Sequence, residues 1–327
     1  MNTTATPIIA SAPGTLMLTG EHAVLYGYPA LVCAVDQRIT VTLNPRDDDK
    51  VIIHSPTLGT YQTTLTALSP DEPFKFVLTA IMRTHPMQGF DLTITSDFSH
   101  QVGLGSSAAV TVATLAALYH YLHLNLSLHD LYQQAYQVIQ SVQQIGSGAD
   151  VAASVYGGVV YYQREPFLCQ KLLHTFPIAL IYSGSKKPTP EVVALVKQLH
   201  AQQPEIYQNL FKEIGACTQA AVQAINAENW PALGEIFNRH QKLQAALGVT
   251  NPTIESIIEL LLLQNTILGA KISGAGLGDC VIAIGSLPDG LFPHNIVQEN
   301  QGVQQLSVKI STQGVAFTSP LEGEVDA

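Results

Sequence analysis

Positive charge is scarce in this chain. Fifteen Lys and Arg stand against twenty-five Asp and Glu, a formal charge of −10. A nucleic acid or an anionic membrane surface demands a basic footprint, so neither is expected as a partner. Long apolar runs are missing as well: nothing approaches the roughly 18 residues of a membrane span, and a cluster such as "ELLLLQN" is far too short. The opening residues, "MNTTATPIIASAPG", put no basic stretch ahead of an apolar one, which excludes a recognisable secretion signal. Only four cysteines occur, Cys33, Cys169, Cys217 and Cys280, and none forms a C-x-x-C pair. That scatter suits buried free thiols in a cytoplasmic protein. The eleven histidines contain no H-E-x-x-H or comparable metal spacing.

What is present is a chain of 327 residues, 46% hydrophobic, long enough for two domains with sizeable cores. Its first half opens on apolar or alternating runs, "IIASAPGTLMLTG", "ALVCAVDQRITVTL", "KVIIHS" and "GTYQTTL", which read as strands of a mixed or antiparallel sheet. Helices are expected from near Pro73, after Ser107, and from Ser127. In the last of these Leu128, Leu131, Ala135, Val138 and Val142 form one apolar stripe, with Ser127 and Asp130 spaced as a capping box. "REPFLCQKLLHTFP" reads as a crossing between domains. Beyond it comes a strand, "IALIYSG", then helices from Pro190 to about Asn265, several with proline just inside the start, then strands again: "AKIS", "CVIAIG", "LSVKIS" and "GVAFTS". This order implies an α+β protein with two domains, residues 1–174 and 175–327, the second carrying helices on one face of an antiparallel sheet. The acidic tail "PLEGEVDA" reads as frayed.

The most informative stretch is "VGLGSSAAVTVA", Val102 to Ala113, lying between the alternating strand "FDLTITS" and a helix that is apolar nearly all round. Its glycines stand where a loop feeds the first turn of a buried helix. The first N–H groups there have no carbonyl partner, and together with the positive pole of the helix they favour an anion such as phosphate. Ordinary turn chemistry, with Ser106 or Ser107 as the N-cap, is the competing reading. A dinucleotide fold fails on context, since no carboxylate follows at the required distance and no strand comes next; a Walker A loop fails because no Lys follows the glycines.

Three other stretches bear on this one. "GEH" places Glu21 and His22 at the end of a strand between Gly20 and Gly27, either as a capped turn or as ligands. "GSGAD" sets Asp150 directly after a flexible turn, as a helix cap or as a base. "KISGAGLGDCVIAIG" joins two strands through glycines at 274, 276 and 278, bare enough for close approach to a ligand.

Taken in order, "PGTLMLTGEHAVLYG", "VGLGSSAAV" and "KISGAGLGDCV" resemble the three motifs of the GHMP kinases, a family that includes galactokinase, homoserine kinase, mevalonate kinase and phosphomevalonate kinase. The likeness covers nearly the whole chain. Within the family it is strongest to the mevalonate kinases, through "GEHAVLYGYPAL", "SGSKKPT" (Ser183 to Thr189) and "RHQKLQAALGVTNPTIE"; "GSGADVAASVYGG" and Gly-Asp-Cys at 278 to 280 lean toward phosphomevalonate kinase.

The resemblance implies a ribosomal S5 domain 2-like N-terminal domain and a ferredoxin-like α/β sandwich after it. It implies phosphorylation of the hydroxyl of mevalonate, with phosphomevalonate as the alternative acceptor and a ligand-sensing protein on the same fold as the third reading. ATP and Mg²⁺ are the implied cofactors and a small molecule the implied partner; a homodimer stays open. Carried over, Gly103, Leu104, Gly105, Ser106, Ser107 and Ala108 hold the nucleotide. Ser106 and Ser107 also meet the metal, and Asp150 takes the hydroxyl proton. Glu21, His22, Lys186, Thr189, Gly274, Ala275 and Gly276 serve the acceptor.

Two departures stand out. The Lys usual after Pro-Gly is Thr15, and the carboxylate usual about ten residues before the aspartate is matched only by Gln140. Losing both leaves four readings open: a slower enzyme, a metal held mainly by Ser and Asp, compensation by Lys186 or Lys187 of the facing domain, or no catalysis at all. A phosphorylated acceptor would need a further cation, drawn from Arg38, Lys75, Arg83, Lys186 and Lys187.

Overall fold

Alternating apolar residues build the first sheet. The structure, a computed structural model, describes residues 6–99 and 102–318; the acidic tail lies outside them. β1 (Ile8–Thr19) pairs antiparallel with β2 (Ala30–Pro45). Their ladder slips between Pro13 and Thr15, where proline has no N–H to donate and glycine follows. After the slip, the Thr15 N–H donates instead to Leu104 O at 3.0 Å. Sequence order thus starts to place the site: a bulge in β1 is tied to the glycine loop.

A hairpin follows, β3 (Lys50–Ser55) and β4 (Gly59–Thr64), then α1 (Lys75–Thr84), β5 (Phe90–Ser96), α2 (Ser106–Tyr121), α3 (Leu128–Gln143) and α4 (Ala149–Tyr156). β5 pairs antiparallel with β2 and parallel with β3, so the sheet is mixed. β6 (Val159–Gln163) returns to β2, and β7 (Leu168–Leu172) pairs with β6. The stretch expected as a bare crossing between domains therefore contains a strand. In α3, Ser127 accepts from the Asp130 N–H at 3.1 Å as the capping spacing requires. The apolar stripe is rotated from the expected one: Leu131, Ala135 and Val138 are buried, but Leu128 is exposed and Tyr132 and Ile139 complete the face.

The second unit runs β8 (Ile178–Tyr182), α5 (Thr189–Gln202), α6 (Pro204–Asn226), α7 (Trp230–Ala246), α8 (Pro252–Leu262), β9 (Ile267–Ser273), β10 (Cys280–Gly285), α9 (Ile296–Gln301) and β11 (Gln304–Leu306). Its four antiparallel strands lie in the order β11-β8-β10-β9. This is the strand-helix-strand-strand-helix-strand pattern of a ferredoxin-like sandwich, with extra helices in the first crossover. Proline stands in the first turn of α5, α6, α7 and α8, where its missing N–H costs nothing.

The tail departs from the expected division at residue 175. Ile310 bridges to Val35, and β12 (Ala316–Thr318) pairs with β1, so residues beyond β11 close the first sheet rather than extend the second. The stretch "LSVKIS" forms no strand beyond Leu306.

Both faces of β1 and β2 are buried. Ala30, Val32 and Val41 face a core shared with α1 to α4, while Leu16, Leu18, Leu31 and Cys33 pack in a second core with Leu180, Ile282, Ala221 and Phe237 of the second unit. The period of two residues assigns each side chain to one core or the other. The far face of the second sheet, with Ile181, Ile272 and Val281, packs on Ile254, Ile257 and Leu261 of α8. The two units are thus welded through a common apolar layer, and a cleft is left along their polar edge.

Candidate active site

The cleft is a cavity of about 520 Å³ walled by both units. Gly103, Gly105, Ser106, Ser107 and Ala108 line one side. Asp150 and Thr15 line the same space, as do Glu21, His22, Lys186, Thr189, Gly274 and Ala275. Of the expected site residues only Leu104 and Gly276 do not line it. Leu104 is buried in the interdomain core and lends its carbonyl to Thr15, while Gly276 lies too close to Val249 to carry a side chain.

The glycine loop is open where an anion would sit. The N-cap of α2 is Gly105, at φ 62, so neither serine caps the helix. The first helical bond runs from Ala109 N–H to Gly105 O, 3.1 Å, and the N–H groups of Ser106, Ser107 and Ala108 precede it. A Cβ at 105 would overlap the Thr15 hydroxyl, and one at 103 would lie 2.9 Å from Asp279 Oδ1. Glycine at these two positions therefore answers two close neighbours as well as positive φ.

Asp150 is the second residue of α4, which is capped by Gly148. It is not the N-cap, so its carboxylate is available to the cavity. Thr15 Oγ1 donates to Asp150 Oδ1 at 2.9 Å. Burial holds the Asp150 carboxyl above the ordinary carboxylate range, and the Thr15 hydrogen bond and the Lys186 charge pull it back. Thr15, at the position where the family usually has Lys, thus supplies a hydrogen bond in place of a charge. The charge comes from Lys186, in the loop after β8; Lys187 does not line the cavity. Gln140 is engaged elsewhere, its Nε2 donating to Gly146 O at 2.9 Å and fixing the turn that leads to Asp150.

His22 and Glu21 divide in their tasks. His22 adopts φ 59 and donates from Nε2 to Ala275 O at 2.8 Å, because a carbonyl can only accept. Burial lowers its pKa, so the ring is neutral with Nδ1 as its acceptor. Glu21 also borders the cavity: Lys271 Nζ donates to its Oε1, both side chains being almost wholly buried, while its Oε2 has no hydrogen-bond partner among the described residues. His240 Nε2 lies 3.3 Å from Glu21 Oε2 and accepts from Gly20 N–H at 3.1 Å. Burial keeps His240 well below the ordinary histidine range, hence neutral, so this contact is no ion pair. The carboxylate expected to touch the acceptor thus also ties the end of β1 to β9.

Three participants escape the sequence reading: Lys271, His240 and Asp279. In "AKIS" the lysine falls at the polar phase of the alternation, where a solvent-facing residue is expected, so no local signal flags Lys271; nothing local marks His240 either. Lys75 lines the cavity and pairs with Glu72 at 2.6 Å. Arg38 and Arg83 are used elsewhere, Arg38 donating to Ser11 O and Gly314 O and Arg83 to Gln134. Asp279, at φ 62 in the loop between β9 and β10, is buried and lines the cavity. Burial pushes its pKa up to about 6, against the pull of Lys186, whose Nζ is 3.9 Å away.

The chain matches the GHMP kinases N terminal domain over residues 73–158 and the GHMP kinases C terminal domain over residues 221–290. Residues 2–45 match the galactokinase galactose-binding signature, the segment that carries Glu21 and His22. It is 35% identical to the mevalonate kinase of Archaeoglobus fulgidus, covering 91% of this chain and 99% of that one. Against the mevalonate kinase of Thermococcus sibiricus the identity is 32%, over 85% and 89% of the two chains. The solved structure of Methanococcus jannaschii mevalonate kinase superposes with a TM-score of 0.77 at 24% identity, covering 94% of this chain and 99% of that one. A ferredoxin-like unit welded to a mixed sheet, with an anion cradle facing a carboxylate across one cleft, defines a small-molecule kinase. The chain belongs to the GHMP kinase family, whose members draw the phosphoryl group from ATP.

Proposed function

We propose that this chain transfers the γ-phosphoryl group of ATP to the hydroxyl of mevalonate, giving 5-phosphomevalonate and ADP. The observation that carries the reading is the shared cavity: the open N-terminus of α2 and the Asp150 carboxylate border one space. The relatives of matching length are mevalonate kinases, which selects the acceptor.

The triphosphate lies on the N–H groups of residues 105 to 108, where the helix pole and unpaired donors offset its charge. The apolar stretch of wall formed by Phe76, Ile139, Val142 and Ile145 suits the nucleobase. Asp150 orients the acceptor hydroxyl and takes its proton as the oxygen attacks phosphorus and the bond to ADP breaks. Such transfers need little covalent help, so positioning and charge neutralisation supply most of the acceleration. Lys186 supplies positive charge beside Asp150, and His22, locked by Ala275, contributes a fixed polar edge for the acceptor. The hydroxyls of Ser106 and Ser107 are hard oxygen donors of the kind Mg²⁺ prefers. Bound with the nucleotide, Mg²⁺ would neutralise phosphate charge.

ADP release with ATP and Mg²⁺, offered mevalonate, phosphomevalonate or neither, tests the reading. Turnover with mevalonate is expected. Turnover with phosphomevalonate alone would reassign the acceptor and give Lys75, the second lysine in the cavity, the task of meeting the extra phosphate. No turnover with either would leave a ligand-sensing protein.

A further inference from the structure

Asp279 is an electrostatic anomaly in a site built for anions. Its side chain is 5% exposed, and among the described residues its Oδ1 has no hydrogen-bond donor. The ammonium of Lys186 stands 3.9 Å away, beyond hydrogen-bond reach. The carboxylate rests on the glycine loop itself, as the 2.9 Å approach of Oδ1 to a Cβ position at Gly103 shows. Its Oδ2 lies 3.4 Å from the corresponding position at Gly274. Asp279 is held firmly there, because its backbone N–H donates to Ser185 O at 2.7 Å and its carbonyl accepts from Ser183 N–H at 2.9 Å.

A buried carboxylate oxygen without a donor is costly, and a carboxylate set against a phosphate cradle repels the ligand the cradle is shaped to hold. Both costs disappear if a divalent cation sits between carboxylate and phosphate. Mg²⁺ is normally held by one or two carboxylates together with phosphate oxygens rather than by a cage of protein ligands. That matches the described residues, which contain no cluster of three or more His, Cys, Asp or Glu side chains arranged for a metal.

We propose that Asp279 is a metal-ligating residue of this site, its Oδ1 taking the divalent cation that enters with the nucleotide. The inference rests on the nucleotide-binding part of the proposed function and deepens it. Lys186, no longer needed to face Asp279, is then free to turn to the transferred phosphoryl group.

Mn²⁺ titration followed by electron paramagnetic resonance, in the presence of the non-hydrolysable analogue adenylyl imidodiphosphate, reads metal binding without turnover. Residues that only hydrogen-bond to a metal's ligands already contribute about 10–100-fold to affinity, so Asp279→Asn should weaken Mn²⁺ in the ternary complex at least about tenfold. Metal-free analogue should bind as well as before or better, because a repelling charge has gone. Asp279→Gly provides a second variant that suits φ 62, and it should give the same loss. Unchanged Mn²⁺ affinity in either folded variant would overturn the inference. So would equal weakening in Lys186→Met, which would mean that Asp279 acts only by positioning that lysine. Failure of the wild-type protein to bind the analogue at all would instead overturn the proposed function.

Discussion

At the scale of single residues the site turns on one exchange: a hydroxyl at position 15 meets Asp150 where the family usually sets an ammonium. The hydrogen bond favours the ionised carboxylate, as a lysine would, but with less strength. Thr15→Val removes it without opening a large void. The Asp150 pKa should then rise further, so the acid limb of the kcat–pH profile should move to higher pH; an unmoved limb would show that the hydroxyl does not govern this proton. Asp150→Asn keeps the shape and removes the proton acceptor. Turnover is expected to fall about a hundredfold or more, the scale of a lost acid–base group, with ATP affinity by calorimetry nearly unchanged. These two variants separate the group that takes the proton from the group that tunes it.

Whole elements decide how these residues meet. β1 carries Thr15 at its bulge and leads into Glu21, while β9 carries Lys271 across the interdomain layer to meet that carboxylate. Removing one member of so deeply buried a pair leaves the other uncompensated, a loss of about 3–5 kcal/mol. Glu21→Gln should show this as a lower urea midpoint with an unchanged slope, and the added change Lys271→Met should recover most of the loss. A Glu21→Gln variant as stable as wild type would remove the pair from its structural role. The glycine loop is constrained in the same way by elements distant in sequence. Gly105→Ala would drive a methyl group into Thr15 from a φ of 62, so weaker nucleotide binding and a lower melting temperature should appear together. The continuous apolar run "ALVCAV" marked β2 as a strand but could not say what covers each of its faces. Only the arrival of the second unit gives Leu31 and Cys33 a core of their own.

For the molecule as a whole, burial of neutral histidine sets the acid side of stability. His240 lies in the shared layer with its pKa well below the ordinary value of 6.5. Since the folded pKa lies below the unfolded one, the unfolded chain binds more protons once the pH drops under about 6.5. Stability therefore declines from there downward. Asp279, raised to about 6, acts with the opposite sign between about pH 4 and 6, where its protonation favours the folded state. A His240→Gln variant keeps an acceptor for Gly20 N–H and leaves Asp279 in place. Its unfolding free energy, measured from pH 8 to 5, should fall less steeply than that of wild type; parallel curves would show that His240 is not the group titrating.

Local pattern was enough to place most of the strands and helices and to mark the bare glycine loops, although it missed β7 inside "REPFLCQKLLHTFP" and overran β11 in "LSVKIS". Those properties depend on residues two to four positions apart along one backbone. The mixed sheet and the three glycine motifs were legible for that reason, whereas the ferredoxin-like unit and the role proposed for Asp150 came from the resemblance to the GHMP kinases. The sequence could not show that Lys271 would meet Glu21, that β12 would return to β1, that Gly276 would pack against Val249, or that Asp279 would come to rest on Gly103. Each of these joins groups tens to hundreds of residues apart. Whether a charged side chain serves a ligand or a neighbour depends on what else is buried beside it, which only the folded chain decides.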